Sequence, residues 1–585
     1  MSDAAAVALA VCAAIGAWVG AGPPVAAGAI GCLLALAVRR PWLLCVAVLA
    51  LTGGRAAADE RGLASSPIGP YRGWIELTSD PVEHPEGSVR VDARAGGALV
   101  EVRARGPAAI ALRGRAAGDS VEVSGTRRRA SAFAAPWLAR RHIAAQLTVT
   151  EVGAWLDGPW PWRIANTARD AVERSAAALP ERERGLYLGL VLGDDRAEPP
   201  DIADDFRGAG LSHLLAVSGQ NVAFTLALAA PALRRSSVRM RVVLVIGVLG
   251  IFVLATRAEP SVLRAATMAA IAAIASALGR EASGIRILSL AVAGLLVADP
   301  FLARSLGFQL SVASSAAILT LARPLARRIP GPRAFAEVLG VSIAAQIGVA
   351  PVLAATIEGP PVAGLLANVL AAPAAGPVMT WGMVAGLAGG VLGPTAATVL
   401  HWPTHLLVWW LMAVARWSAG LPLGHLGFPQ LTALGLAVAV TAVGRWLGSR
   451  QLAMGVATAL AGATFVAAVI PSSGSPPIAI SLGDGAVLWR RDAAVLVVDR
   501  RARVDDVLSG LREAGVDRLD LVVARSGSPS EAAIVDAVRA RGDVDEVRGR
   551  SDVAARSLLR VGGLVVELRQ STAELVVDVH PTDPE

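Results

Sequence analysis

Long apolar runs separated by short polar connections dominate the chain. Residues 4–21, 24–38 and 41–57 are three closely spaced apolar segments, each near the length that a tilted membrane helix needs. From 69 to 152 the period drops to two: RGWIELTS, GSVRVDA, ALVEVRA, DSVEVSG and AQLTVTEV alternate apolar and polar positions between Gly, Pro and Asp turns. That pattern predicts a small all-β domain of about five strands, for which an OB-like barrel is the natural form. Residues 160–211 mix charged and apolar positions at helical spacing, predicting amphipathic helices along the membrane surface, anchored by Trp160 and Trp162. Apolar segments then follow one another over 212–470, including 335–356, 361–390, 396–418, 430–446 and 452–470. With the first three segments they amount to about thirteen spans. Pro373, Gly376 and Pro377 interrupt 361–390, which reads either as one kinked helix or as a re-entrant pair. Past PSSGSPP at 471–477, residues 476–585 alternate strand-like AVLWRR, AAVLVVD, LDLVVA and GGLVVEL with helical DDVLSGLREAG and SEAAIVDAVRA, a soluble α/β domain. The predicted fold class is therefore a multi-pass α-helical membrane protein, with an OB-like all-β domain near its start and an α/β domain at its end.

Composition agrees with this reading. Apolar residues make up 54% of the chain, and mean hydropathy is +0.55. The net charge of +7 says little about partners, because all 54 basic residues are Arg and none is Lys, in a chain rich in Ala, Gly and Val. The placement of the arginines is more informative. Arg39 and Arg40, the cluster Arg234, Arg235, Arg239 and Arg241, the pair Arg280 and Arg286, and the cluster Arg323, Arg327, Arg328 and Arg333 recur at a two-segment period, with Arg445 and Arg450 continuing it. The intervening loops TRAEPS and VADPFLARS are poor in Arg. By the positive-inside rule the N-terminus is cytoplasmic, and the β domain and C-terminal domain lie outside the cytoplasmic membrane. Cys12, Cys32 and Cys45 all fall in the first apolar segments, so neither soluble region can hold a disulfide. The first segment lacks a basic leader and reads as a retained anchor.

Candidate chemistry concentrates in 205–224, DFRGAGLSHLLAVSGQNVAF. This stretch turns apolar while carrying Ser212, His213, Ser218, Gln220 and Asn221. Lipid offers such groups no partner, so they line either a polar passage or the contacts between packed helices. Arg264, Gln309, Gln346 and Asn368 are further polar groups inside apolar segments. Arg264 is the most telling, since a guanidinium in a span must face a cavity or an anion, unless it snorkels to the rim past Pro260. In the β domain, Arg103, Arg105, Arg127, Arg128 and Arg129 are candidates for phosphate contact, as are Arg113 and Arg115, but the stacking aromatics are limited to Tyr71, Trp74, Phe133 and Trp137. Asp194, Asp195, Asp201, Asp204 and Asp205 suit a solvated acidic face or helix caps better than a metal site, since no His or Cys joins them. Without lysine there is no phosphate-binding G-x-x-x-x-G-K-[ST] loop, and no cofactor is expected.

GLSHLLAVSGQNV resembles the GLSHLLAISGLHV-like signature of the ComEC family of competence proteins. LVLGDDRAEPPDIADDFRGAG before it, PSVLRAATMA at 260–269, DPFLARSLGFQLS at 299–311, AAQIGVAP and LLANVLAAP match further motifs in the same order, over about 180–375. The resemblance implies an inner-membrane channel that conducts one DNA strand inward in natural transformation. It implies single-stranded DNA and membrane lipid as binding partners, with an outer DNA receptor and a cytoplasmic motor ATPase. Gln220 and Asn221 stand where many members carry Leu and His. The C-terminal domain of many members resembles a metallo-β-lactamase and is taken as the nuclease for the second strand. Here Ser526, Ser528, Ser530 and Glu531 occupy the positions of the motif's His, Asp, Asp and His, Ala486 stands at another Asp position, Asp499 alone keeps an acid, and His580 is the domain's only histidine. The expectation is a degenerate domain without metal or catalysis. A transporter of another solute or polymer, or a membrane-anchored hydrolase, fits the same pattern of spans and domains.

Overall fold

The computed structural model describes residues 2–64, 67–131, 138–139, 141–356, 359–421, a few positions from 423 to 436, 478–553, 556–571 and 574–581. Phe133, Trp137, the segments expected at 430–446 and 452–470 with Arg445 and Arg450, and the 471–477 linker lie wholly or mostly outside them. Two compact units emerge, one made of 1–196, 216–360 and 371–408, the other of 197–215, 361–370 and 409–585.

The first unit begins with helices Asp3–Val19, Val25–Val38 and Pro41–Ala64. Their approach is close: a Cβ at Gly16 would lie 2.3 Å from the Leu49 carbonyl oxygen, so only hydrogen fits there. The β domain follows as β1 (Gly69–Leu77), β2 (Val82–Glu83), β3 (Val89–Ala95), β4 (Ala98–Ala104), β5 (Ser120–Arg128) and β6 (Ile143–Leu156). β1 pairs with both β3 and β5, β3 with β4, and β5 with β6, all antiparallel; the parallel β4–β6 pairing closes the ring. A helix, Pro107–Arg113, lies between β4 and β5. Five strands in this order form an OB-like barrel, with β2 as a short extension of β3. The alternation read from sequence becomes its interior: Ile75, Val89, Val91, Val100, Val102, Val121, Val123 and Leu147 are all at most 1% exposed.

Of the three helices across 160–208, Trp160–Ala176 buries one face, as the spacing predicts, whereas Pro200–Gly208 is buried along most of its length, with only Pro200 and Arg207 exposed. The middle helix, Glu181–Leu192, departs from the expectation of a membrane-surface position. Leu186 to Leu192 are all buried. The run GLYLGLVL is apolar all round and therefore packs inside the protein.

The remaining helices of the unit include Gly219–Arg235, Val238–Ala255, Pro260–Ala277, Gly284–Ala298, Leu306–Ala326 and Arg333–Thr356. Helix Gly364–Leu392 runs unbroken despite Pro373 and Pro377, so the stretch is a single helical element instead of a re-entrant pair. Pro394–Ala419 follows it. Among the described residues six helices are long and apolar enough to cross a membrane, and Asp3–Val19, Val25–Val38 and Gly284–Ala298 are shorter apolar helices. The span count from sequence also includes the shorter apolar helices and the segments at 430–446 and 452–470, which lie wholly or mostly outside the described residues. The chain is a multi-pass membrane protein.

In the second unit the C-terminal domain carries β7 (Ala479–Ser481), β8 (Ala486–Arg490), β9 (Ala494–Val498), β10 (Arg518–Leu519), β11 (Leu521–Ala524), β12 (Asp543–Val544) and β13 (Val547–Arg548). Its main sheet has the order β13-β11-β9-β8-β7, parallel from β9 to β13 and antiparallel beyond. Helices Val504–Glu513 and Pro529–Arg541 cover one face through Val507, Leu508, Leu511, Ile534 and Val538. A second sheet of β14 (Arg556–Val561), β15 (Leu564–Gln570) and β16 (Leu575–Pro581) covers the other, with Leu564, Val566 and Leu568 packed against Val495, Leu521 and Val523. The near-continuous apolar runs in β9 and β11 follow from burial on both faces.

Candidate functional site

Ser218 caps helix Gly219–Arg235, its hydroxyl accepting from the Gln220 amide at 3.3 Å. Just before it, the Val217 carbonyl accepts a 2.5 Å hydrogen bond from Ser261, at the start of helix Pro260–Ala277. One turn further along that helix, the Arg264 guanidinium lies over Gly219, where a Cβ would be 2.9 Å from Nη2. Arg264 is 8% exposed; Nε donates to Ser311 Oγ at 2.8 Å and Nη1 approaches Met268 Sδ at 3.1 Å. No carboxylate pairs with it among the described residues. The signature glycine, the positive end of the helix it opens, and a buried cation are thereby brought together.

Asn221 is 4% exposed, and its Nδ2 donates to the Leu190 carbonyl at 3.0 Å, tying the signature to the buried helix Glu181–Leu192. Its Oδ1 has no hydrogen-bond partner among the described residues. Asn221 lines a narrow crevice together with Phe224, Thr225, Leu228, Met379 and Met383. Gln220 is exposed. Gln309 is half-buried and donates to the Ala303 carbonyl at 2.8 Å, closing the turn that precedes its helix, and Gln346 is half-buried. In the second unit Ser212 and His213 are exposed. Their stretch is seated by Gly210 (φ +68°), where a Cβ would meet Pro361 and the Gly364 backbone, at the foot of the helix carrying Asn368. Asn368 donates to the Gly364 carbonyl at 2.7 Å.

The barrel arginines divide. Arg127 is 3% exposed, donates to the Ala95 carbonyl at 3.2 Å and stacks on Tyr71, so it supports the barrel instead of presenting charge to a ligand. Arg103 pairs with Glu101 at 2.7 Å, Arg105 with Glu86 at 3.3 Å and Arg113 with Glu83 at 2.5 Å, while Arg115 stacks on Trp155. Arg128 and Arg129 are exposed.

Of the aspartates before the signature, Asp195 is exposed, but Asp194, Asp201 and Asp204 are buried and form no solvated acidic face. Asp194 pairs with Arg169 at 2.8 Å and with Arg196 at 2.5 Å, and Asp80 of the barrel pairs with Arg257 at 2.6 Å and Arg169 at 3.2 Å. Burial opposes ionisation of Asp80 and Asp194, but the arginines outweigh it, Arg257 first at Asp80 and Arg196 first at Asp194, and hold both carboxyls below the ordinary range. This network anchors the barrel to the core. So does His142, whose Nε2 lies 2.8 Å from Asp299 Oδ1 and whose ring stacks on Phe301. Sequence reading missed both anchors; the only signal was the density of Asp and Arg around LVLGDDR. Asp201 and Asp204 are also buried, at 4% and 0% exposed.

In the C-terminal domain Glu531 is fully buried. Its carboxylate accepts from the amides of Ser526, Gly527 and Ser528 and from Ser526 Oγ at 2.7 Å, while Ser528 caps the helix Pro529–Arg541, whose first turn holds Glu531. Asp499 accepts from the Arg501 amide and guanidinium. Ala486 is buried, and His580 is exposed on β16.

Residues 190–452 match the family model described as Competence protein. Among curated proteins, the chain is 26% identical over 220 residues to "ComE operon protein 3" of Bacillus subtilis (strain 168), covering 37% of this chain and 28% of that protein. It is 26% identical over 201 residues to "Uncharacterized protein YcaI" of Escherichia coli (strain K12), covering 32% of this chain and 27% of that protein. The matched region thus spans under a third of either relative. No solved structure matches.

Proposed function

For a chain whose residues 190–452 match the Competence protein family model, we propose that its work is to pass a single DNA strand across the cytoplasmic membrane. The observation that carries this reading is Arg264: a buried guanidinium in an apolar helix, without a carboxylate partner among the described residues, beside the amide end of the signature helix. A cation in a membrane helix is retained where it meets a passing anion, and a helix N-terminus adds partial positive charge suited to phosphate. One such position is enough to guide a polyanion without trapping it, whereas a densely cationic lining would hold its cargo. Asn221, with a free amide oxygen, and Gln220 extend the polar lining, and Ser212, His213 and Asn368 supply polar groups in the second unit.

The membrane potential opposes inward movement of a polyanion when the interior is negative, so transport needs a cytoplasmic motor, and an outer receptor must deliver the strand. The reading places the N-terminus in the cytoplasm and both folded domains outside. It takes the C-terminal domain as a metallo-β-lactamase-like domain without its hydrolytic chemistry: Glu531, the one acid in the replaced motif, spends its lone pairs on capping bonds.

The test is transformation with marked DNA. A deletion strain should take up none, and Arg264→Ala or Asn221→Leu should sharply reduce uptake with membrane insertion intact. Normal transformation without the protein overturns the reading; normal transformation in both variants removes the site from it.

A further inference from the structure

Helix Pro200–Gly208 holds an acid with no contact to water. Asp204 is 0% exposed, and both its oxygens are taken by arginines of the C-terminal domain. Arg541 Nη1 reaches Oδ2 at 2.6 Å, and Arg512 Nη1 contacts Oδ1 and also donates to the Asp204 carbonyl at 3.0 Å. Arg512 lies in the last turn of helix Val504–Glu513 and Arg541 ends helix Pro529–Arg541, so each brings its charge from a different element of that domain. Around this centre, Gly208 admits the Arg512 side chain, where a Cβ would be 2.8 Å from Cδ, Arg416 donates to the Arg541 carbonyl at 3.3 Å, and Arg207 pairs with Asp505 at 2.9 Å on the exposed rim.

We infer that the C-terminal domain is a clamp on the signature stretch, with Asp204, Arg512 and Arg541 as positioning residues. A buried carboxylate is stable only when paired, so the helix is held wherever the two guanidinium groups sit. Ser212 begins four residues after Gly208, across a turn whose Gly210 has left-handed geometry, leaving little slack between the clamped helix and the polar residues that follow. This role needs no metal and no catalysis. It gives a reason for a domain with replaced motif residues to keep its fold and its two arginines. The functional importance of the stretch rests on the transport reading; the clamp itself does not.

Hydrogen exchange of the full-length chain in detergent tests it. Asp204→Ala should speed exchange of the amides in 200–208 by about a hundredfold, as expected when one partner of a buried ion pair is removed, with helix Pro260–Ala277 unchanged as a control for global folding. Arg512→Ala should act in the same direction, and the double variant should be no worse than Asp204→Ala, because the coupled pair is lost only once. Arg207→Ala at the exposed rim should leave exchange within about threefold. Unchanged exchange in Asp204→Ala, or additive effects in the double variant, overturns the clamp. Transformation is scored separately in the same strains: faster exchange with undiminished transformation keeps the clamp and overturns the transport role of the stretch it holds.

Discussion

Neighbouring side chains in one short helix can have opposite electrostatic fates. Asp204 pairs with Arg512 and Arg541, whereas burial pushes the carboxyl of Asp205 up to about 6, against the pull of Arg541 and Arg416, with Asp204 and Asp201 adding to the rise. The sign follows from linkage. With the folded-state value above the ordinary 3.8, the folded protein binds the proton more tightly, so stability is gained as pH falls through about 6 and is lost again as pH rises. Asp205→Asn should therefore raise the thermal midpoint at pH 7.5 and flatten its dependence between about pH 4 and 6. A lower midpoint at pH 7.5, or an unchanged pH profile, contradicts this. Sequence marked Asp205 only as one of five acids; its neighbours Arg416 and Arg541 are more than two hundred positions away. Arg264 was legible as an anomaly because charge inside an apolar run is visible in one dimension. Ser311 and Gly219, which define its surroundings, were not.

Among the elements, the strands of the barrel were the most readable, because period-two alternation maps directly onto inside and outside. Helices were harder. The run 185–192 is as apolar as a stretch of a candidate span, and only packing shows that it is buried inside the protein. Helix Gly364–Leu392 passes through Pro373 and Pro377 because each proline removes one backbone donor without forcing the chain to reverse, so local signals left two outcomes open. Small residues on that helix act by proximity: a Cβ at Gly390 would lie 2.1 Å from the Ala171 carbonyl oxygen of helix Trp160–Ala176. Gly390→Val should cost about 1–3 kcal/mol from overpacking and lower the thermal midpoint in detergent, whereas Gly250→Ala, with open space at its Cβ, should leave the midpoint nearly unchanged. Equal midpoints for the two variants would show that this contact is not made.

At the level of the whole molecule, each of the two units carries a network of ion pairs that ties one of its elements to another. Asp80, Arg169, Asp194 and Arg257 fix the barrel, and Asp204 with Arg512 and Arg541 fixes the C-terminal domain to the helix before the signature. The last domain keeps this architectural part while Glu531 and Asp499 are consumed by capping and by arginine. The full-length chain should thus bind neither zinc nor manganese stoichiometrically and should cut no DNA when either is supplied; metal-dependent cleavage by the pure protein would overturn the inactive reading. Sequence by itself determined the class of membrane protein, the OB-like barrel, the order of domains and the signature stretch. These depend on periodicity, composition and motif order, which are local properties of the chain. Only the tertiary structure decided which charges are buried, that Arg127 supports the barrel, that helix Glu181–Leu192 is internal, and that Asp194 and Asp204 are paired with arginines. Those facts depend on desolvation and on partners brought from distant positions, and no local pattern encodes either.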